Sequence, residues 1–487
     1  MSGETLIDAG HETFRNELAS ISPDGRRRWV YARKPSGFFY RWRTRLSWLL
    51  LAFLLLAPFV RVGGLPLMMF NVIERKFVFF GLLFWPQDFY MVVLIALSVL
   101  VTLMLSTVTV GRVWCGWLCP QTIFMEMVFR KIEYAIDGSA EQQLRRHRGP
   151  WDAARIWRTG VKQAIFFALS FAIANVFLAY IIGSDALWVI ITDPPSQHLV
   201  GLVAITIFSF VFYLVFARFR EQACVLACPY GRVMSSLIDR HTVTVTYDFT
   251  RGEPRGRVTK AQAVPPNGDC IDCHHCVTVC PTGIDIRNGV QLECVNCTAC
   301  IDACDAVMER VGRPTGLIRL TSHEAVAEGR LHWLTARSAA YAVVWIALIS
   351  TVTWIVAGRP ALDVTTLRQP GTLFATLDAG RIGNFYNVQV FNRTGDPVPF
   401  EIRVTEPAGA TVTPLGLDFE VGPHALLEGR MLVAVPQGEL GSRQSVPVRL
   451  EVRARGEVIQ ELSSAFVAPP GGGQSLGDTP PTIGGQP

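Results

Sequence analysis

The sequence predicts a multi-domain membrane protein: an α-helical transmembrane bundle of about five spans, a cytoplasmic cysteine-rich α+β domain and a C-terminal β-sandwich. Three observations predict it. Half of the 487 residues are hydrophobic and only 17% are charged, against roughly a quarter in average soluble domains. Eight of the 12 cysteines crowd into Cys270–Cys304, the clustering of metal or redox chemistry rather than of a disulfide scaffold. Beyond Gly358, "NFYNVQVFNRTG", "PFEIRVTEPAGATVTP" and "QSVPVRLEVRARG" alternate apolar and polar residues between Gly and Pro turns, the period of half-buried strands.

Residues 1–45 are polar and basic with no early apolar core, so no secretory signal peptide is expected. A helical span needs about 20 mostly apolar residues. The first span starts at Leu46 with "LSWLLLAFLLLAPFV" and is expected to continue through Arg61 into "VGGLPLMMF". Lys76–Pro86 is apolar but too short to span and reads as interfacial or re-entrant. Phe89–Val110, Val161–Gly183, Leu199–Phe219 and Arg337–Ala357 supply the other four. Lys and Arg crowd the N-terminal segment and Gly111–Gly160 but are missing from Ser184–His198. The positive-inside rule therefore puts the N-terminus, Gly111–Gly160 and Arg220–Ala336 in the cytoplasm, and everything after Gly358 outside, which is the periplasm if the cell is Gram-negative. Asp185 and Asp193 read as solvated, and Met68, Met69 and Met91 as apolar lining.

The expected divisions are a cytoplasmic segment 1–45, a four-span membrane domain 46–236, a cytoplasmic region 237–336 with its cysteine domain at about 260–312, a fifth helix 337–358, an outer β domain 359–467 and a disordered Pro/Gly-rich tail 468–487. The net charge of +5 decides little, and no nucleic-acid partner is expected. "NRT" at Asn392 matches an N-glycosylation sequon, a short motif that by itself carries no weight.

The cysteine run is doubled. Cys270-x2-Cys273-x2-Cys276-x3-Cys280-Pro281 is followed by Cys294-x2-Cys297-x2-Cys300-x3-Cys304, with Asp305 where the first run has proline. Cys270–His274 alone also fits C-x-x-C-H, the c-type haem signal. That reading strands Cys276 and Cys280, ignores the second run and demands the outer side. Structural zinc uses C-x2-C pairs, but rarely eight cysteines at a doubled 2-2-3 spacing. The pattern is that of a ferredoxin-like domain with two [4Fe–4S] clusters, in which three closely spaced thiolates wrap one cube and the fourth reaches across to the other. Cys270, Cys273, Cys276 and Cys304 are thus expected on one cluster, and Cys294, Cys297, Cys300 and Cys280 on the other. His274 and His275 read as surface residues beside a cluster.

A second repeat lies at the membrane edge. "RVWCGWLCPQ" (Arg112–Gln121) follows the second span and "REQACVLACPYG" (Arg220–Gly231) follows the fourth. Both contain C-x3-C-P. Cysteines at i and i+4 share one face of a helical turn, and the proline suits its exit or a kink. Packing is the plain explanation, because free cysteine is often buried. The duplication favours convergence of Cys115, Cys119, Cys224 and Cys228 at the cytoplasmic face, as a thiolate site for a soft metal such as Cu(I) or as a dithiol relay. Glu126, in the apolar stretch after the first motif, reads as a satisfied interfacial carboxylate. None of the nine histidines lies in an expected span, which excludes a bis-histidine haem there, and no nucleotide-binding G-x-G-x-x-G joins a strand to a helix. Electrons must come from or go to another molecule.

Five features together resemble the FixG/RdxA/CcoG family of cytochrome c oxidase accessory proteins: "ERKFVFFGLLFWPQDFYMVV" (Glu74–Val93), "GRVWCGWLCPQTIFMEMVFRKIE" (Gly111–Glu133), "ACVLACPYGRVMSSLID" (Ala223–Asp239), the doubled cysteine run and the C-terminal β domain. The resemblance covers nearly the whole chain. It implies an immunoglobulin-like C-terminal domain, a multi-pass place in the bacterial inner membrane and a role in assembling a cbb3-type haem–copper oxidase. It further implies cupric reductase activity, with Cys115, Cys119, Cys224 and Cys228 catalytic or copper-binding. The implied partners are copper ions, oxidase subunits or copper-delivery proteins, and an electron donor. A quinol-linked electron carrier and a non-catalytic assembly scaffold are the competing readings; the long outer β domain favours the cupric reductase over the quinol-linked carrier.

Overall fold

The computed structural model describes residues 21, 24, 26–256, 268–291, 293–371, 374–377, 380–441 and 444–469. The expected disordered tail falls, from residue 470 on, outside the described residues, as does most of the start of the expected cysteine domain. The chain divides into two compact units, one dominated by Phe84–Thr353 and the other by Trp354–Pro487.

Among the described residues of the chain, four helices are long and apolar enough to cross a membrane: Phe89–Val110, Ala153–Ile182, Pro195–Phe219 and Ala336–Ala357. Their composition is apolar on all sides, so Val200, Phe208, Val343 and Ile346 stay exposed, the pattern of helices solvated by lipid. The expected first span is not among them. Its helix runs Phe38–Leu56, begins with Arg41, Arg43 and Arg45 and stops before Pro58, which has no N–H to donate. The expected continuation through Arg61 is instead β structure, with Met68–Asn71 paired antiparallel to Lys76–Phe79. The third helix starts earlier than expected because Asp152 caps it, accepting from Arg155 N–H at 2.8 Å. The connection after it contains a further helix, Ser184–Thr192. Asp185 there pairs with Arg61, and Asp193 with His198 at 3.0 Å.

Between the helices, rings interlock. Phe129 stacks on Phe216 and meets Phe166 edge-on, both at 4.9 Å between centroids, and Phe124 packs on Phe212 and Phe216. This aromatic core joins the segment that follows Phe89–Val110 to the helix Ala153–Ile182 and to the end of Pro195–Phe219.

Residues 242–328 form the α+β domain. Strands Thr244–Tyr247 and Ile318–Thr321 pair antiparallel, and helices His275–Thr278 and Ala299–Arg310 each carry cysteines. The domain is tied to the helical part by Val243 N–H on Thr109 O at 3.0 Å and by Thr242 Oγ1 on Val108 O at 3.0 Å. Asp302 caps the helix Phe38–Leu56 from outside, accepting from the N–H groups of Phe39 (3.1 Å) and Tyr40 (2.7 Å).

The second unit contains two antiparallel sheets around one core. One orders Thr411–Leu415, Leu426–Pro436, Arg381–Asn392 and Leu362–Arg368, with Ala375–Leu377 also on Arg381–Asn392. The other orders Glu420–Val421, Val398–Glu406, Ser445–Ala454 and Glu457–Val467. Tyr386, Val388, Met431, Val433, Val448, Val452 and Phe466 fill the space between them, as the period-two pattern requires. Asn392 of the sequon is fully buried: its Nδ2 donates to the carbonyls of Asp396, Val421 and Gly422, and its Oδ1 accepts from Thr394. "NRT" is here a turn lock. Asn392→Ala would strand three carbonyls and should destabilise the C-terminal domain by about 2 kcal/mol, measurable as a lowered midpoint for its urea transition.

Candidate functional site

Two cavities lie in the α+β domain. Cys270, Cys273, Cys276 and Cys304 line one, with Tyr247, Met308 and Leu317. Cys280, Cys294, Cys297 and Cys300 line the other, with Val245, Ile284 and Ile286, and Cys276 borders both. The doubled spacing produces a doubled backbone. In the first run Asp272 and His274 adopt left-handed φ of 52° and 56°; at the same offsets in the second run Asn296 and Thr298 adopt 51° and 62°. Such residues cost roughly 1–2 kcal/mol each and persist only where surroundings enforce them. Here they shape the short loops whose cysteines line the two cavities.

Burial pushes the thiols of Cys276, Cys294 and Cys304 up to about 12, and that of Cys297 up to about 11. Such thiols become thiolates only when a bound metal supplies the compensating charge. Four cysteines line each of the two cavities, a donor set that fits iron–sulfur cubes. Buried Arg287 donates to Asp272 (2.5 Å), Asp285 (2.6 Å) and His274 Nδ1 (2.9 Å) beside the first cavity. His274 is indeed about half exposed and Cys273 is exposed.

The C-x3-C-P motifs differ from the expected α-turn. Both are π-turns, Trp114–Leu118 and Ala223–Ala227. Cys119 N–H reaches back to Trp114 O at 2.8 Å and Cys228 N–H to Ala223 O at 2.9 Å. The cause is proline: the preceding cysteine must be extended, with ψ of 124° at Cys119 and 112° at Cys228, and Pro120 and Pro229 then open new helices. The two turns meet. Cys224 is raised to about 12 by burial and by the proximity of Cys119, Cys115 and Cys228, and Cys115 is raised by burial against the opposing charge of Arg112. Gly231 N–H donates to Cys228 Sγ at 3.4 Å.

These turns also touch the cysteine domain, a contact that spacing alone does not reveal. A Cβ on Gly116, between the two cysteines of the first motif, would lie 2.3 Å from Val295 O and 3.0 Å from Cys297 N. Trp117 Nε1 donates to Asn296 O at 3.2 Å, Asn296 Nδ2 donates to Val110 O at 3.4 Å, and Cys294 Sγ donates to Asn296 Oδ1 at 3.5 Å. Buried Arg43 fixes the turn through Gly116 O at 2.7 Å. Glu126 forms an ion pair with buried Arg130 at 2.8 Å, and Glu133–Arg220 (2.9 Å) and the part-buried Glu221–Arg27 (2.8 Å) add further pairs. The glycine inside "CGWLC" and the arginines outside the cysteine motifs were the available signals for these residues.

Gly116→Ala should displace the loop carrying Cys294 and Cys297, and the purified protein should retain about half the parent's iron and acid-labile sulfide, as expected when one of two similar cubes is lost. Iron content equal to the parent's would show that the contact is dispensable.

Comparison with known proteins agrees with this chemistry. Residues 219–323 match a 4Fe-4S dicluster domain, residues 92–136 a 4Fe-4S binding domain, and residues 352–469 the IG-like fold at the C-terminal of FixG. Protein RdxA of Cereibacter sphaeroides is 34% identical over 450 residues, 87% of this chain and 93% of that protein. Protein RdxB of the same organism is 33% identical over 84% of this chain and 86% of its own. The nitrogen fixation protein FixG of Rhizobium meliloti is 28% identical over 86% and 88%. With two [4Fe–4S] clusters, an IG-like C-terminal domain and a third of its residues shared along almost all of RdxA, the chain belongs to the RdxA/FixG family of iron–sulfur oxidoreductases.

Proposed function

We propose that the chain is a bacterial inner-membrane cupric reductase that turns Cu(II) into Cu(I) for assembly of a cbb3-type cytochrome c oxidase. The observation that carries this reading is the convergence of Cys115, Cys119, Cys224 and Cys228 beside the loop bearing Cys294 and Cys297. In this reading Cys270, Cys273, Cys276 and Cys304 hold one cluster, and Cys280, Cys294, Cys297 and Cys300 the other. Bound, the clusters supply one-electron couples, the stoichiometry that separates Cu(II) from Cu(I). The four thiols bind copper as substrate and, being soft, favour the Cu(I) product. Exposed Cys273 marks the side at which an external one-electron donor approaches. The Lys and Arg distribution supports a cytoplasmic N-terminus and cluster domain and a periplasmic C-terminal domain. The C-terminal domain then serves as a docking module for oxidase subunits or copper-delivery proteins.

One observation favours a second reading. The 4Fe-4S binding match over residues 92–136 contains only Cys115 and Cys119 as cysteines, which suits a membrane-edge site that holds iron–sulfur rather than copper.

The test is to reduce the anaerobic protein, mix it with Cu(II), and follow cluster bleaching together with loss of the Cu(II) EPR signal. The variant with Cys115, Cys119, Cys224 and Cys228 all changed to Ser should keep full iron content and slow bleaching by at least about 100-fold, the loss expected when a site's essential groups are removed. Loss of iron from that variant would favour the second reading, and a reduced parent indifferent to Cu(II) would refute copper reduction.

A further inference from the structure

Arg112 opens the first C-x3-C-P turn and is only 3% exposed. It donates a hydrogen bond to the Cys115 sulfur. Its Nη2 also reaches the second turn, lying 3.1 Å from the position a Cβ on Gly231 would take. Its positive charge is felt by Cys224 and Tyr230 of the second turn and by Cys294 in the cysteine domain. The corresponding arginine of the other repeat is used differently. Arg220 pairs with Glu133 at 2.9 Å, lies 4.0 Å from Glu221 and sits over the Trp29 ring at 5.1 Å. The two repeats share a backbone, and their arginines have diverged.

We propose that Arg112 is a positioning residue shared by the two redox sites: held between the paired C-x3-C-P turns and near the Cys294 loop, its guanidinium biases both the four membrane-edge thiols and the neighbouring cluster toward their electron-rich forms. An added electron is added negative charge, and a cation buried nearby stabilises it far more than one in water would. Charge and hydrogen bonding at the ligand sulfurs are among the determinants of cluster potential. Arginine suits the task because it stays charged at any physiological pH. The inference rests on the two cysteine sites being redox neighbours, and does not require copper to be the acceptor.

The experiment is an EPR-monitored redox titration of the full-length anaerobic protein without copper, after iron and sulfide analysis, comparing the parent with Arg112→Gln and Arg112→Lys. In Arg112→Gln one of the two cluster midpoints should move to a more negative potential while the other stays. Arg112→Lys, which keeps the charge, should restore the parent's value for the moved midpoint at least in part. Arg112→Met, of similar length and uncharged, replaces the Gln variant if that one loses iron. Unchanged midpoints, equal movement of both, or a Lys variant shifted as far as the Gln variant would each overturn the proposal. Loss of iron from both neutral variants would also overturn it, because Arg112 would then be holding the cradle together rather than setting its potential. If the midpoint moves but the parent does not reduce Cu(II), this inference stands and the copper reading falls.

Discussion

The close approach of a membrane-edge turn to a cysteine loop is the constraint on which the site depends. At Gly116 no side chain fits, because Val295 O and Cys297 N occupy the space where a Cβ would stand. That contact lets the first C-x3-C-P turn lie directly on the loop bearing Cys294 and Cys297, with Trp117, Asn296 and Arg43 closing hydrogen bonds around it. The domain could have been tethered loosely, through its chain connections alone. It is instead anchored at three further places: the cap that Asp302 provides to helix Phe38–Leu56, the backbone bond from Val243 to Thr109, and the Thr242 hydroxyl on Val108. These anchors hold the turn and the cysteine loop at a constant separation.

Duplication works at two scales. The ferredoxin run repeats a 2-2-3 spacing and, with it, the same pair of left-handed residues at the same offsets. The C-x3-C-P motif repeats a span, a π-turn and a proline that opens the next helix. π-turns are rare and concentrate at functional sites. Here they follow from proline, which forces the second cysteine of each motif out of the helix, so the thiols are presented at a break rather than along a helical face. Divergence has followed duplication: Arg220 is absorbed in a buried carboxylate network, whereas Arg112 faces the thiols.

Buried charge is otherwise treated conservatively. Glu126 with Arg130, Glu133 with Arg220 and Glu221 with Arg27 are pairs in which neither partner is left uncompensated. Pairs of this kind add little net stability, but removing one partner is costly, so they fix how the segments after Phe89–Val110 and Pro195–Phe219 pack. The aromatic cluster of Phe124, Phe129, Phe166 and Phe216 fixes the same elements from the apolar side. The thiol site thus rests on a scaffold held both by charge complementarity and by ring packing.

Much of this was legible in the residues themselves. Ligand spacing is local chemistry, so the two groups of cysteines could be read from offsets. Spans and sandwich strands follow from hydropathy and period, and four of the five expected spans have matching helices. The exception, Phe38–Leu56, shows the limit of that reading: arginines at its start and Pro58 at its end shorten the apolar stretch, while neighbouring residues that look equally apolar pair as strands. Sequence alone determined the redox chemistry and the domain order, because those depend on residue type and on separations of a few positions. Only the tertiary structure decided that the two C-x3-C-P turns meet, that Gly116 seats one of them on the Cys294 loop, and that Arg112 lies against the second turn while Arg220 pairs with Glu133. Those contacts join residues more than 100 positions apart, as Gly116 and Val295 or Arg112 and Gly231 do, and only the packed chain brings such residues within a few ångströms.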